Sequence, residues 1–424
     1  MDRRVVITGM GVCAPNGITL REFGDSLYNG ISGIDFFDEL KELKFSCHIG
    51  GKPKIPQDYL DPYFSNVQQK GLLEGGLVYG VIAGVDAWKD AGLEVSETHD
   101  VDWETGICFG TGMLGADKFR EAIYKVDNGA VRRLGSTTVV QTMASGISAY
   151  LGGMLGCGNQ VTTNSSACTT GTESILMAYD RIKNGNATRM LAGSCSDAGP
   201  YIWGGFDAMR ILPSKYNDTP QKASRPMSAT ASGFVPGSGA GAMVLESLKS
   251  AKERGATIYA EVLGGSVNSG GQRNGGTITA PNNEGVQRCI QQALKNSKVL
   301  AEEIDAINGH LTATTKDATE IENWTKALGL SKEKFPYINT FKGTIGHCLA
   351  AAGSIECVGT VLQFTKNAIF KNVNCEDIHP DILTSIYASS IVKESISLSP
   401  NIIMKASFGF GDVNACLIFK NYTN

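Results

Sequence analysis

Short apolar runs and stretches with apolar residues at helical spacing alternate along the chain. The apolar runs predict strands at residues 4–8, 106–109, 160–163, 188–194, 240–245, 258–264, 304–308, 337–340, 402–407 and 414–419. The helically spaced stretches predict helices at residues 68–91, 116–128, 139–155, 172–183, 284–296, 317–328 and 346–364. Strands that alternate with helices in this way are typical of an α/β protein built from βαβ units with mainly parallel sheets.

The alternation of strands and helices occurs twice. The first series closes with the strand at residues 240–245, and the second begins near Lys249. We therefore predict two halves, residues 1–248 and 249–424, without a low-complexity linker between them. Their similar organisation suggests an internal duplication.

One cysteine lies at a position that favours a nucleophile. Cys168, in Asn164-Ser-Ser-Ala-Cys168-Thr-Thr-Gly171, falls between a short strand and the helix predicted over residues 172–183. The free N–H groups at a helix N-terminus favour the thiolate, so this position predicts a lowered thiol pKa and a nucleophile. A lone cysteine is more often a buried structural residue. Two histidine segments further along the chain favour the nucleophile here.

Those segments are Ile307-Asn-Gly-His310-Leu-Thr312-Ala-Thr314 and Lys342-Gly-Thr-Ile-Gly-His347, followed near the C-terminus by Ser407-Phe408-Gly-Phe410-Gly. In this order, and together with Cys168, they resemble the elongating β-ketoacyl-ACP synthases, the Cys-His-His ketosynthases of the thiolase superfamily. The resemblance covers essentially the whole chain. It implies the thiolase fold, with five layers αβαβα made from two duplicated βα halves.

The resemblance also implies an acyltransferase activity, the decarboxylative Claisen condensation of an enzyme-bound acyl group with malonyl-ACP. Cys168 would carry the acyl group, and the N–H groups of Cys168 and Phe410 would form the oxyanion hole. His310 and His347 would donate hydrogen bonds to the malonyl thioester carbonyl. Phe410 would also act as a gate for the acyl chain. The acyl carrier protein (ACP) would be a partner, and no cofactor beyond its phosphopantetheine arm is expected.

Further site residues follow from the same resemblance. Lys342 needs a carboxylate because a buried ammonium is costly without one; Glu320 is expected to supply it, and Glu356 to support His347. Three hydroxyl residues are expected to bind the pantetheine arm: Thr279, Thr312 and Thr314. The acyl pocket is expected to include Met113, Phe206 and Phe408. His48, His99 and His379 are expected to be ordinary hydrogen-bonded histidines.

The chain also departs from the pattern it resembles. Asn308 and Gly309 precede the first histidine and Leu311 follows it, while Asp412 and Val413 replace a glycine and a threonine of the C-terminal loop. These changes leave the catalytic side chains in place. They favour a specialised ketosynthase, one that builds polyene or polyketide chains, over housekeeping fatty acid synthesis. The protein would then be a homodimer or pair with a chain-length-factor subunit.

Composition excludes several other classes. A net charge of −4 over 424 residues disfavours a nucleic-acid or anionic membrane surface, and the longest apolar runs are shorter than the ~18 residues of a membrane span. The 11 scattered cysteines and the lack of a signal peptide predict reduced thiols in the cytoplasm. Five histidines without zinc-type spacing predict that there is no metal site.

Two alternative functions stay open at this stage. Gly9-Met-Gly11-Val-Cys-Ala14 and Gly110-Thr-Gly112-Met-Leu-Gly115 match a dinucleotide-binding pattern, which would indicate a dehydrogenase. The match is weak, because Pro15 interrupts the first site where a helix should begin. The other alternative is a catalytically silent chain-length-factor partner, which the presence of Cys168 and both histidines disfavours.

Overall fold

The computed structural model describes residues 3–95 and 100–423 of the chain. The first half contains the strands β1 (Val5–Cys13), β2 (Ile34–Phe36), β3 (Ile49–Gly51), β4 (Thr105–Thr111), β5 (Val161–Thr162), β6 (Arg189–Ser196) and β7 (Gly239–Ser247). The second half contains β8 (Ala260–Ser269), β9 (Ala306–Asn308), β10 (Tyr337–Asn339), β11 (Ala368–Ile369), β12 (Ile396–Ser397), β13 (Ile402–Gly409) and β14 (Val413–Asn421).

The helices are distributed between the same two halves. They are α1 (Leu20–Asn29), α2 (Asp38–Glu42), α3 (Asn66–Gly71), α4 (Gly76–Asp90), α5 (Ala116–Asp127), α6 (Thr138–Thr142), α7 (Gly146–Leu155), α8 (Thr170–Lys183), α9 (Pro200–Ala208), α10 (Leu248–Glu253), α11 (Asn283–Ser297), α12 (Asp317–Leu328), α13 (Lys342–Ile345), α14 (Ala352–Thr365) and α15 (Pro380–Ser385).

The main sheet repeats one topology twice. Its strand order is β10-β9-β13-β14-β8-β1-β7-β6-β4-β5, and the halves meet where β1 pairs with β8 over residues 5–7. Numbered within its own half, each set of five strands has the order 1-5-4-2-3, with the same sequence of antiparallel, antiparallel, parallel and parallel pairs. The shared topology confirms the predicted duplication. The prediction of mainly parallel sheets is wrong, because two of the four pairings in each half are antiparallel.

Helices cover the sheets in five layers. α4 and α7 pack on the outer face of the first half, and α11 packs on the outer face of the second with α12 beside it. Between the two half-sheets lie α8 and α14, which contact each other and strands of both halves. Most residues of the two middle helices are buried, so these helices form the centre of the core. This arrangement is the αβαβα fold expected from the sequence.

Two predicted helices are interrupted in the structure, and a third begins later than predicted. The helix predicted over residues 68–91 divides into α3 and α4, because the buried Asp197 carboxylate accepts the Gly76 N–H and a Cβ on Gly76 would press against it. The helix over residues 139–155 divides into α6 and α7, where Gly146 lies against the Val140 carbonyl. His347 was expected at the start of a helix but lies in the segment between α13 and α14, because Gly346 turns the chain at φ +70°.

The glycines of the first dinucleotide-type motif have a packing role. Gly9 and Gly11 lie inside β1, where a Cβ on either would collide with the carbonyl groups of Ala87 and Ala83 on α4. They allow α4 to pack closely on the sheet instead of forming a phosphate-binding turn after the strand. The structure therefore contradicts the dehydrogenase hypothesis at this motif, because its glycines lie within the strand β1. Within the described ranges, none of the helices is long and apolar enough to cross a membrane.

Candidate active site

Cys168 lies in a tight turn between β5 and α8. The turn covers Ala167–Thr169, and Ala167 has φ +48°, a conformation that costs energy for a residue with a Cβ. The Thr170 hydroxyl stabilises the turn by accepting the Ser166 N–H at 2.8 Å and donating to the Ala167 carbonyl at 2.6 Å. Cys168 is therefore held immediately before the first turn of α8, as the sequence predicts.

Two backbone N–H groups lie near the Cys168 sulfur and favour its thiolate form. They belong to Cys168 itself and to Phe410, which follows β13. The chain can approach this closely because residue 409 is glycine: a Cβ there would lie 3.1 Å from the Cys168 nitrogen and 3.0 Å from a methyl group of Val413. Donors in this arrangement stabilise a negative charge that forms beside the sulfur. The pair expected to form the oxyanion hole is thus brought together.

His310 is positioned through the backbone that carries it. It follows β9, and the buried Glu320 carboxylate on α12 accepts the N–H groups of His310 and Leu311, both at 2.7 Å. Leu311 has φ +26°, so this corner is also strained. The ring of His310 packs edge-on against that of His347, with centroids 5.3 Å apart.

His347 has its ring orientation and tautomer fixed by the next turn. The Leu349 N–H donates to Nδ1 of His347 at 3.1 Å, and Leu349 adopts φ +51° to make this contact. Because Nδ1 accepts a hydrogen bond, the proton of the neutral ring is on Nε2. His347 therefore presents an N–H donor to the site.

The titratable groups of the site are neutral or paired. Burial, with Lys342 next, holds the pKa values of both histidines well below the usual range. Burial also raises the pKa of the Cys168 thiol to about 11, although the Phe410 N–H and Lys342 act in the opposite direction. The prediction of a lowered thiol pKa is therefore wrong for the free protein, because desolvation of the thiolate outweighs the favourable donors.

A buried ion cluster lies beneath the histidines. The Lys342 ammonium binds Oε1 of Glu356, and Nζ of Lys405 lies 2.8 Å from Oε2 of the same carboxylate. All three side chains are at most 1% exposed. The expected pairing of Lys342 with Glu320 is wrong, because Glu320 is occupied by the backbone of the first histidine. Contrary to the expectation that it supports His347, Glu356 pairs with the two lysines.

The reacting groups open into one cavity of about 700 Å³. Besides Cys168 and the two histidines, it is lined by every residue expected in the pantetheine and acyl subsites, namely Thr279, Thr312, Thr314, Met113, Phe206 and Phe408, and by Phe410. Within this lining, the hydroxyl groups of Thr312 and Thr314 lie 3.1 Å apart. The ring centroids of Phe206 and Phe410 lie 6.2 Å apart.

Several site residues were not predicted from the sequence. Helix α9 lines the cavity with Tyr201, Ile202 and Gly205, and Phe234 packs against His347 at 5.2 Å between ring centroids. These are ordinary apolar residues without a local signal. Lys405 did carry a signal, because a lysine inside an apolar strand is rarely buried without a partner.

The donor atoms of Cys168, His310 and His347 lie within 4.8 Å of one another, close enough to hold a metal ion. Lys342 and Lys405 place two ammonium groups behind this set, which disfavours a divalent cation. The absence of a metal remains a prediction. Of the other histidines, His48 bonds the Phe45 carbonyl and His379 caps α15, as expected. His99 lies outside the described residues.

Comparisons with known proteins agree with this geometry. The family model for the β-ketoacyl synthase N-terminal domain matches residues 2–251, and that for the C-terminal domain matches residues 259–376. The chain is 31% identical over 422 residues to 3-oxoacyl-[acyl-carrier-protein] synthase 2 of Vibrio harveyi, covering 99% of this chain and 98% of the relative.

Two solved structures are also similar over the whole chain. One is a type II polyketide synthase acyl carrier protein in complex with its ketosynthase bound to the hexaketide, with a TM-score of 0.86, 26% identity and complete coverage of both chains. The other is the ishigamide ketosynthase/chain length factor, with a TM-score of 0.88, 26% identity and complete coverage of both chains.

Proposed function

The chain belongs to the β-ketoacyl synthase family, and we propose that it joins an acyl group held on Cys168 to a malonyl unit delivered by an acyl carrier protein. It is an acyltransferase of the condensing class. The observation that carries the proposal is that Cys168, His310 and His347 line one cavity with their reactive atoms within 4.8 Å of one another, and that His347 presents an Nε2–H donor.

The first step is transfer of the acyl group to the enzyme. The Cys168 sulfur attacks the thioester carbonyl of acyl-ACP and forms a new carbon–sulfur bond. The two N–H groups hold the carbonyl oxygen while it carries negative charge. The carbon–sulfur bond to the carrier then breaks, and the departing phosphopantetheine thiolate takes up the proton lost by Cys168.

The second step is decarboxylation and condensation. The bond between the malonyl α-carbon and its carboxylate breaks, carbon dioxide leaves, and the electron pair forms an enolate. His310 and His347 hold the enolate oxygen with N–H donors. Burial and Lys342 keep both rings neutral, so His347 retains the tautomer that donates from Nε2. The enolate carbon attacks the acyl carbonyl and forms the new carbon–carbon bond, and the bond to Cys168 breaks. Cys168 leaves as thiolate and takes up one proton from solvent, and β-ketoacyl-ACP is released.

No group beyond the carrier's phosphopantetheine is needed for this electron balance, so we propose that the enzyme works without a further cofactor. Thr279, Thr312 and Thr314 offer hydroxyls to the amides of that arm. Met113 and Phe206 are apolar residues that line the same cavity, and they contact the acyl chain. The product enters fatty acid or polyketide chain elongation, and the departures noted around His310 and Phe410 favour polyketide or polyene chains.

The partners are an acyl carrier protein and a second synthase-fold chain. One structural neighbour is a ketosynthase bound to its carrier and another pairs a ketosynthase with a chain length factor. Three apolar side chains on α6 and around α5 are exposed, namely Met113 (58%), Phe119 (58%) and Val139 (69%). Their exposure supports a dimer that covers them. The second chain is either a copy of this one or a chain-length-factor subunit.

Turnover with defined carriers tests the proposal. We would mix the protein with acyl-ACP and malonyl-ACP and follow β-ketoacyl-ACP by mass spectrometry of the carrier. Cys168→Ala should abolish the product, and His347→Ala should allow Cys168 to be acylated while stopping condensation. If the wild-type chain makes no product alone or with a candidate subunit, the catalytically silent alternative would replace the proposal.

A further inference from the structure

Lys405 lies in a position where a charge is costly. It is in the middle of β13, paired with Leu417 on β14 and beside Asn308 on β9, and its side chain is 0% exposed. Its ammonium donates to the Ala406 carbonyl and to the Ser407 hydroxyl at 3.2 Å. A lysine so deep in a sheet is retained only if something compensates its charge.

The compensation is shared with a second lysine. Glu356 on α14 contributes one carboxylate, with Oε1 bound to Lys342 and Oε2 2.8 Å from Lys405. With both lysines protonated, the buried cluster carries one excess positive charge. Because one lysine and one glutamate already make a neutral pair, Lys405 is the group that creates the excess.

The excess charge lies next to the reacting groups. Lys342 lowers the pKa of the Cys168 thiol while Glu356 raises it, so their effects oppose each other in the absence of a third group. Lys405 also contributes to the low pKa of both catalytic histidines. Ser407, which Lys405 binds, contacts the Thr172 hydroxyl at 2.8 Å in the first turn of the helix that follows Cys168.

We propose that Lys405 is a positioning residue of the condensing site, which forms an ion pair with the second oxygen of Glu356 and thereby leaves the charge of Lys342 available to Cys168 and to the oxyanions formed beside it. The inference concerns the same site as the proposed function and rests on it. Lys405 acts through Glu356 and does not contact the substrate. Apart from Lys342, no other described lysine pairs with this carboxylate, so removal of Lys405 is a direct test.

The remaining groups around the cluster do not supply this charge. Glu320 on α12 is buried, and burial raises its pKa to about 7. Burial also raises the pKa of Cys357 on α14 to about 12 and the pKa values of Cys348 and Cys416 further, so these thiols are neutral. The positive charge near Cys168 therefore depends on the two lysines and on how much of it Glu356 cancels.

The test measures Cys168 directly and needs no substrate. We would follow alkylation by iodoacetamide between pH 6 and 10 by intact-protein mass spectrometry, with Cys168→Ala to identify the signal. The variants are Lys405→Met and Lys405→Gln, which both remove the charge, while only glutamine keeps a hydrogen-bonding group. Lys118→Met is the matched control, because Lys118 is 7% exposed but pairs with Glu121 on α5.

We expect both Lys405 variants to be alkylated about tenfold more slowly than wild type at neutral pH, corresponding to a rise of about one unit in the apparent thiol pKa. The Lys118 variant should match wild type. Equal rates in all proteins would overturn the proposal. A wild-type rate for Lys405→Gln alone would also overturn it, since Lys405 would then act by hydrogen bonding. Loss of the folded state in both variants would overturn it as well, because Lys405 would then serve core stability. Failure of condensation would leave this measurement unaffected.

Discussion

The buried cluster makes a sharp prediction about stability. Replacing Glu356 with glutamine leaves the ammonium groups of Lys342 and Lys405 facing an uncharged amide. At an effective dielectric constant of about 20, charges separated by the 2.8 Å between Lys405 and Glu356 attract by about 6 kcal/mol before desolvation is subtracted. Removal of one partner from a buried ion pair typically costs about 3–5 kcal/mol. We expect Glu356→Gln to lose at least that much free energy of unfolding, because two cations lose their partner.

The loss of unfolding free energy caused by Glu356→Gln should depend on Lys405. Lys405→Met alone leaves Lys342 and Glu356 as a balanced pair, so we expect it to cost much less than Glu356→Gln. In the double variant only one ammonium is left unpaired, so the effect of Glu356→Gln should be smaller by about 1–3 kcal/mol, within the range of coupling energies for residues in contact.

Urea denaturation of the wild type, the two single variants and the double variant at one pH measures this coupling. The Lys118→Met control should not change the effect of Glu356→Gln. If Glu356→Gln costs the same with and without Lys405, the two residues are not coupled and the description of the cluster is wrong.

Three further results are expected. Gly409→Ala should reduce condensation about 100-fold, because the added methyl group displaces the Phe410 N–H from the oxyanion hole; it fails as a prediction if kcat is unchanged. Malonyl decarboxylation should show no acid limb near pH 6.5, because burial lowers the pKa of both histidines, so they take up protons only at lower pH; a limb at pH 6.5 in the pH–rate profile would contradict this. Asp412→Gly should increase hydrogen exchange in residues 270–282, because the Asp412 carboxylate accepts two N–H groups of that segment, at 2.8 and 2.9 Å; unchanged exchange would show that the segment is held by other contacts.

Where local sequence signals agreed with tertiary packing, the sequence was sufficient to predict the bounds of an element. The helix predicted over residues 317–328 has those bounds in the structure, because Gly329 follows it in a left-handed conformation and ends it. The helix over residues 68–91 was predicted as one piece because its interruption depends on Asp197, a residue 121 positions away in sequence. A contact over that distance leaves no trace in the local apolar pattern.

The candidate site shows the same division. Cys168, His310, His347 and Phe410 could be chosen from their motifs, and the structure brings them to one cavity. Their electrostatics could not be predicted, because the Cys168 pKa depends on how completely the thiol is buried. The pairing of the buried charges could not be predicted from the sequence either. Glu320 and Glu356 are both glutamates on helices, and only packing decides which one contacts Lys342.

The most direct test of the central claim is the mass of the intact protein after incubation with a panel of saturated and polyunsaturated acyl-ACPs. The account predicts a mass gain of one acyl group on the wild-type chain and no gain on Cys168→Ala. The preferred acyl group distinguishes fatty acid synthesis from polyene synthesis. A gain that persists in Cys168→Ala would contradict the assignment of the nucleophile. No gain from any acyl-ACP, alone or with a partner subunit, would contradict the condensing activity itself.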